Sequence, residues 1–83
     1  MQHRCFVYIL RTLATPNRHY TGLTQDVSAR LSAHNAGECP HTSKFRPWKV
    51  VVSMEFPAPE QAAKFEKYLK SGSGRAFTKR HFS

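Results

Sequence analysis

Residues 5–10, Cys-Phe-Val-Tyr-Ile-Leu, constrain the fold more than any other segment, because the run is apolar on both faces of a strand. The run is rich in β-branched and aromatic residues, which is typical of a strand, and it is far shorter than the roughly 18 residues that a membrane span needs. A strand that is apolar on both faces has to be covered on both sides, so we predict a central strand. With 83 residues in all, the chain can build one core, and we expect a single domain over residues 1–83.

Two further segments are predicted to be strands that pair with the first. Residues 11–18 contain Thr15-Pro16-Asn17, which is typical of a turn, and residues 19–22 form a short second strand. A loop this short cannot cross over a sheet, so the two strands should form an antiparallel hairpin. Residues 48–56 form the third strand, which Pro57 ends because proline cannot donate to a ladder.

The remaining segments are predicted to be helices and a loop. Residues 24–35 form the first helix, with Thr24 or Asp26 as its N-cap and Gly37 just beyond its end, and residues 38–47 form a loop. The second helix begins at Pro59 and runs to about residue 70, where Gly72 and Gly74 end it. Residues 75–82 form one more short basic helix. The predicted order β-β-α-β-α(-α) indicates an α+β fold, a small three-stranded antiparallel sheet flanked by helices.

The charge of the chain predicts a polyanionic partner. Lysine and arginine number 13 against 5 aspartates and glutamates, for a formal net charge of +8, and such a balance favours nucleic acid. With 40% hydrophobic residues, the chain is too apolar for a disordered basic tail. The chain has two cysteines, Cys5 and Cys39, which is fewer than a disulfide-rich secreted domain of this size usually carries. No segment is typical of a secretory signal. We therefore expect a reduced, cytoplasmic protein with no membrane partner.

Two pairs of residues are candidates for chemistry. Tyr8 and Tyr20 lie on the two paired strands, where antiparallel neighbours can bring their hydroxyls together; alternatively, both are core aromatics. Arg30 and His34 are four residues apart and share a helix face. Arginine is suited to a phosphate and histidine to proton transfer, although a solvated basic face with a half-buried histidine would produce the same spacing.

The segment around Glu66 combines a rare acid with many bases. Glu66 is either an ordinary salt-bridged glutamate or the ligand of a magnesium ion, which often takes only one or two carboxylates. The basic side chains would bind a phosphate backbone, or they serve solubility alone. They are Lys64, Lys67, Lys70, Arg75, Lys79 and Arg80.

Seven segments occur in a defined order along the chain. They are Phe6-Val7-Tyr8, Tyr20-Thr21-Gly22, Arg30, His34-Asn35-x-Gly37, Thr42-Ser43, Arg46-Pro47-Trp48, and the block Ala62-x-x-Phe65-Glu66-Lys67-x-Leu69-Lys70-Ser71-Gly72-x-Gly74-Arg75. Each is weak alone. As an ordered set from residue 5 to about residue 81, they resemble the GIY-YIG nuclease superfamily. The chain looks most like its short stand-alone bacterial members, and it is also similar to the nuclease domain of eukaryotic structure-specific endonucleases.

The resemblance implies a metal-dependent endonuclease and a role for each candidate. Tyr8 and Tyr20 would lie side by side at the scissile phosphate, with Tyr20 helping to deprotonate or orient the attacking water. Arg30 would bind the phosphate, and His34 would assist proton transfer. Glu66 would hold one divalent cation, Mg²⁺ or Mn²⁺. The implied partner is DNA, with branched or damaged DNA in repair or recombination as candidate substrates.

The chain departs from the family pattern in ways that leave two other hypotheses open. Phe6 replaces the first glycine of the first motif, and Thr21 is the middle residue of the second. Excinuclease-like members carry an active-site asparagine downstream of the glutamate, whereas Asn17 and Asn35 both precede Glu66. A non-catalytic nucleic-acid-binding module on the same fold is therefore a second hypothesis. An RNA-directed nuclease is a third, since nothing locates a contact to the ribose 2′-hydroxyl.

Overall fold

Three antiparallel strands form the sheet, in the order β2-β1-β3. The computed structural model describes residues 4–14 and 18–82, so Thr15-Pro16-Asn17 of the predicted turn at residues 11–18 lies outside the described residues. The strands are β1 (Cys5–Thr12), β2 (His19–Thr24) and β3 (Trp48–Phe56). The predicted central position of the first strand, its antiparallel pairing with the second and the bounds of the third are confirmed.

The first two strands extend further than the sequence predicts. Arg11 was expected to begin the turn, but it pairs with His19 on one side and with Lys49 on the other. Phe6 pairs with Thr24, which therefore belongs to β2 and not to the first helix. Backbone hydrogen bonds to neighbouring strands stabilise these polar ends, and a short apolar run does not reveal them.

Helices cover both faces of the sheet. Helix α1 (Val27–Asn35) lies on the face of Tyr8 and Leu10, whereas α2 (Pro59–Leu69) and α3 (Gly72–Phe82) lie on the face of Val7 and Ile9. These four residues of β1 are all buried, as expected for a strand covered on both sides. The α+β class and the predicted order of elements are confirmed. In the described part of the chain, no helix is both long and apolar enough to span a membrane.

The structure differs from the predicted helices and loop in three places. Helix α1 begins at Val27, and of the two predicted caps Asp26 is the N-cap, since its Oδ1 accepts a hydrogen bond from Ala29 N at 3.0 Å. The loop at 38–47 contains one 3-10 turn, Ser43–Phe45. Gly72 and Gly74 do not merely end α2; they lie in the first turn of α3, which starts three residues earlier than predicted.

Candidate active site

Four of the predicted site residues meet on the face of the sheet that α1 covers. Tyr8 of β1 pairs with Gly22 of β2, and Tyr20 of β2 pairs with Leu10 of β1. Both tyrosine side chains therefore point to the same face of the sheet. Their ring centroids are 6.2 Å apart. The His34 ring lies 4.8 Å from that of Tyr20 and 6.1 Å from that of Tyr8.

Gly22 leaves the space that the Tyr8 ring occupies. A Cβ atom at Gly22 would lie 2.6 Å from the Tyr8 hydroxyl and 2.7 Å from Cζ, closer than real carbon atoms approach. The glycine of the second motif thus allows Tyr8 to lie flat across β2, where its hydroxyl is directed to α1.

Helix α1 is fixed at both ends, which sets the positions of Arg30 and His34. Asp26 caps its start, and Gly37 follows its end with a left-handed φ of 82°. The Asn35 side chain then pairs with the backbone of Trp48: Nδ2 donates to the carbonyl at 3.0 Å, and Oδ1 accepts from the amide at 2.6 Å. The last turn of α1 is thereby held against β3.

A chain of hydrogen bonds runs inward from Tyr8. Its hydroxyl lies 3.0 Å from His34 Nε2, and His34 Nδ1 lies 2.7 Å from Thr42 Oγ1. Thr42 Oγ1 donates in turn to the Cys39 carbonyl at 3.3 Å. Tyr8, His34 and Thr42 are 1%, 0% and 1% exposed, so this chain is shielded from solvent.

The electrostatics of the cluster favour a neutral Tyr8 and His34 beside a charged Arg30. Burial raises the pKa of Tyr8, and a hydrogen bond from the Arg30 guanidinium opposes that rise. The same hydrogen bond raises the pKa of Arg30. Burial lowers the pKa of His34, and the nearby charge of Arg30 lowers it further. His34 can therefore accept a proton at neutral pH, while Arg30 remains a cation.

The lowered pKa of His34 predicts that acid destabilises the fold. The unfolded chain binds a proton at His34 near its ordinary pKa of about 6.5, before the folded chain does. Stability from the neutral ring is thus complete above about pH 6.5 and is lost as pH falls towards the lowered pKa, by at most about 1.4 kcal/mol per pH unit. Urea unfolding measures the free energy of unfolding at pH 7.5 and at pH 5.5. Between these two values it should fall more for the wild type than for His34→Gln. An equal decrease in the free energy of unfolding for both proteins would contradict the prediction.

Glu66 lies apart from this cluster in its direct contacts. It belongs to α2, its side chain is 20% exposed, and its Oε2 is 2.9 Å from Lys70 Nζ. Within residues 4–14 and 18–82, no hydrogen bond or ion pair joins Glu66 to the four clustered residues, and no group of three or more His, Cys, Asp or Glu could hold a metal. A single hard carboxylate fits a cation that keeps water and phosphate as its other ligands, as Mg²⁺ does.

A groove of about 470 Å³ lies between β2 and the helices α2 and α3. Tyr20 lines it together with Lys70, the ion-pair partner of Glu66. This groove therefore connects one catalytic candidate with the neighbourhood of the predicted metal ligand. Lys70, Arg75 and Lys79 line the groove, whereas Lys64, Lys67 and Arg80 are exposed and do not line it.

Three residues near the site were missed by the reasoning from sequence. Arg18 lines the groove, although it is the last residue of the predicted turn segment and lies outside the predicted basic set. Thr78 also lines it, 5% exposed, and its hydroxyl has no hydrogen-bond partner among the described residues. Thr42 was noted within a motif, but nothing in the spacing signals its contact with a histidine eight residues away.

Comparisons with known proteins show the family of the chain. A family model described as the GIY-YIG catalytic domain matches residues 4–80. A UPF0213 protein of Listeria welshimeri is 38% identical over 66 residues, which cover 78% of this chain and 71% of that protein.

Two further comparisons concern an endonuclease subunit and a solved structure. The structure-specific endonuclease subunit SLX1 of Candida dubliniensis is 37% identical over 84 residues, covering 93% of this chain but 28% of that protein. The solution structure of a UPF0213 protein from Bacillus halodurans matches with a TM-score of 0.53 at 30% identity, covering 89% of this chain and 80% of that one.

Proposed function

The chain belongs to the GIY-YIG family of nuclease domains, and from that premise we propose that it is a divalent-metal-dependent endonuclease that hydrolyses phosphodiester bonds in DNA. One observation carries the proposal. Two tyrosines, an arginine and a buried neutral histidine meet on one face, with Tyr8 bonded to His34. A surface that only holds nucleic acid needs cations, and it has no use for a buried phenol–imidazole pair.

In the proposed hydrolysis, some of these residues stabilise charge and others transfer a proton. Arg30 donates to a non-bridging phosphate oxygen and stabilises the charge that develops there. Tyr20 is less buried than Tyr8, and it orients the attacking water and takes part in removing its proton. His34 is neutral and accepts a proton through its bond to Tyr8. As the water oxygen bonds to phosphorus, the bond to the leaving ester oxygen breaks. That oxygen takes up a proton from solvent water, and His34 later returns its proton to solvent.

Glu66 is the proposed ligand of the divalent cation, either Mg²⁺ or Mn²⁺. Such an ion, when bound, supplies Lewis-acid stabilisation of the phosphate oxygens. Lys70 now pairs with Glu66, and it would be free to pair with a phosphate of the DNA in the groove once Glu66 held the cation. The other cations of the groove, Arg75 and Lys79, support binding to the flanking backbone.

The proposed substrates are branched or damaged DNA, in repair or recombination. The name of the Candida relative, a structure-specific endonuclease subunit, supports branched DNA. The proposed location is the cytoplasm, where the two free thiols of Cys5 and Cys39 would stay reduced.

A non-catalytic nucleic-acid-binding module is the second candidate function. The observation that favours it is the ion pair between Glu66 and Lys70, because a glutamate that only neutralises a lysine needs no metal. An RNA-directed nuclease would use the same residues with a different substrate.

A cleavage screen on the wild type tests the proposal. Plasmid, flap, Holliday-type and RNA substrates are incubated with Mg²⁺, with Mn²⁺ and with a chelator. We expect nicking of at least one DNA substrate that requires the metal and stops on chelation. Cleavage of RNA alone would favour the third hypothesis. Tight binding without cleavage under either metal would contradict the enzyme and favour the binding module.

A further inference from the structure

Thr42 is buried next to the candidate site without being able to reach a substrate. Its hydroxyl contacts His34 Nδ1 at 2.7 Å and donates to the Cys39 carbonyl at 3.3 Å. Its own carbonyl accepts a hydrogen bond from Trp48 Nε1 at 3.0 Å. The residue is therefore held in place by the core tryptophan, and its hydroxyl is directed at the histidine.

The hydrogen bonds of Tyr8 decide which nitrogen of His34 carries the proton. The nearby Arg30 guanidinium has only donors, so it cannot accept the phenol hydrogen of Tyr8, which is 1% exposed. The remaining partner of that hydrogen is His34 Nε2, at 3.0 Å. Nε2 must then be the unprotonated nitrogen, and Nδ1 carries the hydrogen.

Thr42 supplies the acceptor that this tautomer needs. Nδ1–H donates to Thr42 Oγ1, and the hydroxyl hydrogen of Thr42 goes to the Cys39 carbonyl. In the opposite tautomer, Nε2–H would face the Tyr8 oxygen, and the phenol hydrogen would be buried without an acceptor. An unpaired buried donor costs about 1–3 kcal/mol, which is enough to exclude that tautomer.

We propose that Thr42 is a positioning residue that accepts the Nδ1 hydrogen of His34 and so stabilises the tautomer in which Nε2 is free to accept the phenol proton of Tyr8. The proton leaves the Tyr8 oxygen and is bound by Nε2, which gives a phenolate beside the Arg30 cation and an imidazolium that still donates to Thr42. The tautomer follows from the structure alone, whereas its catalytic consequence rests on the proposed nuclease function. Thr42 itself touches no reacting atom.

The tautomer can be read directly from the ring nitrogens of His34. In protein carrying ¹⁵N-labelled histidine, long-range ¹H–¹⁵N correlations at pH 7.5 should show a protonated Nδ1 and an unprotonated Nε2. Thr42→Ser keeps the hydroxyl and should preserve that pattern. Thr42→Val removes it and should shift the population towards protonated Nε2. Thr78→Val, at another buried threonine, should leave the pattern unchanged.

Activity supplies a second readout on whichever substrate the wild type cuts. In a serine protease, loss of the tautomer-fixing partner lowers kcat by about 10⁴-fold, and we expect Thr42→Val to lower it by at least about 10-fold. KM should not change, because the residue touches no substrate. Thr42→Ser should retain kcat within about 3-fold, since the hydroxyl that fixes the tautomer is kept.

The outcomes separate this proposal from the proposed function. A protonated Nε2 in the wild type overturns the positioning role, whether or not the protein cuts DNA, and so does an unchanged tautomer in folded Thr42→Val. If Thr42→Val does not fold, Thr42→Ala, which also lacks the hydroxyl, is compared with Thr42→Ser in its place. If the predicted tautomer is found but no nucleic acid is cut, the nuclease function fails and the assignment of the proton stands.

Discussion

Replacing Gly74 with alanine is expected to lower the free energy of unfolding by about 3 kcal/mol or more, at the upper end of what overpacking costs. A Cβ atom at this position would lie 2.0 Å from the carbonyl oxygen of Tyr68 and 2.4 Å from Cα of Leu69. Both atoms are backbone at the end of α2, so no side-chain rotation relieves the contact. The two helices would have to move apart, and the buried contacts of Leu69 would be lost with them.

Gly72→Ala is the matched control, since it adds the same methyl group to the same turn of α3. A Cβ at Gly72 meets nothing within 4 Å. Alanine also restricts the unfolded chain, so its effect should lie within about 1 kcal/mol of zero or be stabilising. Urea unfolding of both variants measures the difference. Similar stabilities for the two would contradict the close packing of Gly74 against α2.

These glycines show where reasoning from sequence reaches its limit. The pair correctly predicts the end of α2 near residue 70, because glycine is a poor helix former. The sequence cannot show that a second helix begins at Gly72, or that Gly74 is needed for a close approach and not for a flexible joint. That requirement arises only when α3 packs on α2.

The fold as a whole followed from simpler signals. The two apolar faces of residues 5–10 require cover on both sides, and α1 lies on one side while α2 and α3 lie on the other. The end of β3 was marked by Pro57, so its predicted bounds are correct. The ends of β1 and β2 were missed because Arg11, Thr12 and Thr24 are polar, and only their pairing with neighbouring strands places them in the sheet.

The candidate site was predictable where two residues share one element or one hairpin. Arg30 and His34 are four apart on α1, and the pairing of β1 with β2 brings Tyr8 and Tyr20 together. Thr42 reaches His34 from a loop, and Arg18 joins the groove from the end of the hairpin. Such contacts depend on how a loop packs against the sheet, and no periodic pattern in the sequence indicates them.

Glu66→Ala is expected to abolish metal-dependent cleavage while leaving DNA binding intact or tighter. A metal ion supplies several kcal/mol of transition-state stabilisation, so the cleavage rate should fall by about 10³-fold or more. Binding should not weaken, because the substitution removes a negative charge and frees Lys70 from its ion pair at the groove. Cleavage under Mg²⁺ and fluorescence anisotropy with the same DNA measure the two effects separately.

Glu60→Ala is the control, since it removes an exposed carboxylate from the first turn of the same helix. The net charge changes equally in both variants, so a general gain in DNA affinity appears in both and a loss of cleavage in Glu66→Ala alone. If Glu66→Ala cuts at the wild-type rate, Glu66 is not the metal ligand. If both variants and the wild type bind DNA and none cuts it, the ion pair with Lys70 is the role of Glu66, and the fold serves as a binding module. A rate that falls only in Glu66→Ala, with added Mn²⁺ failing to restore it, supports the single-carboxylate site.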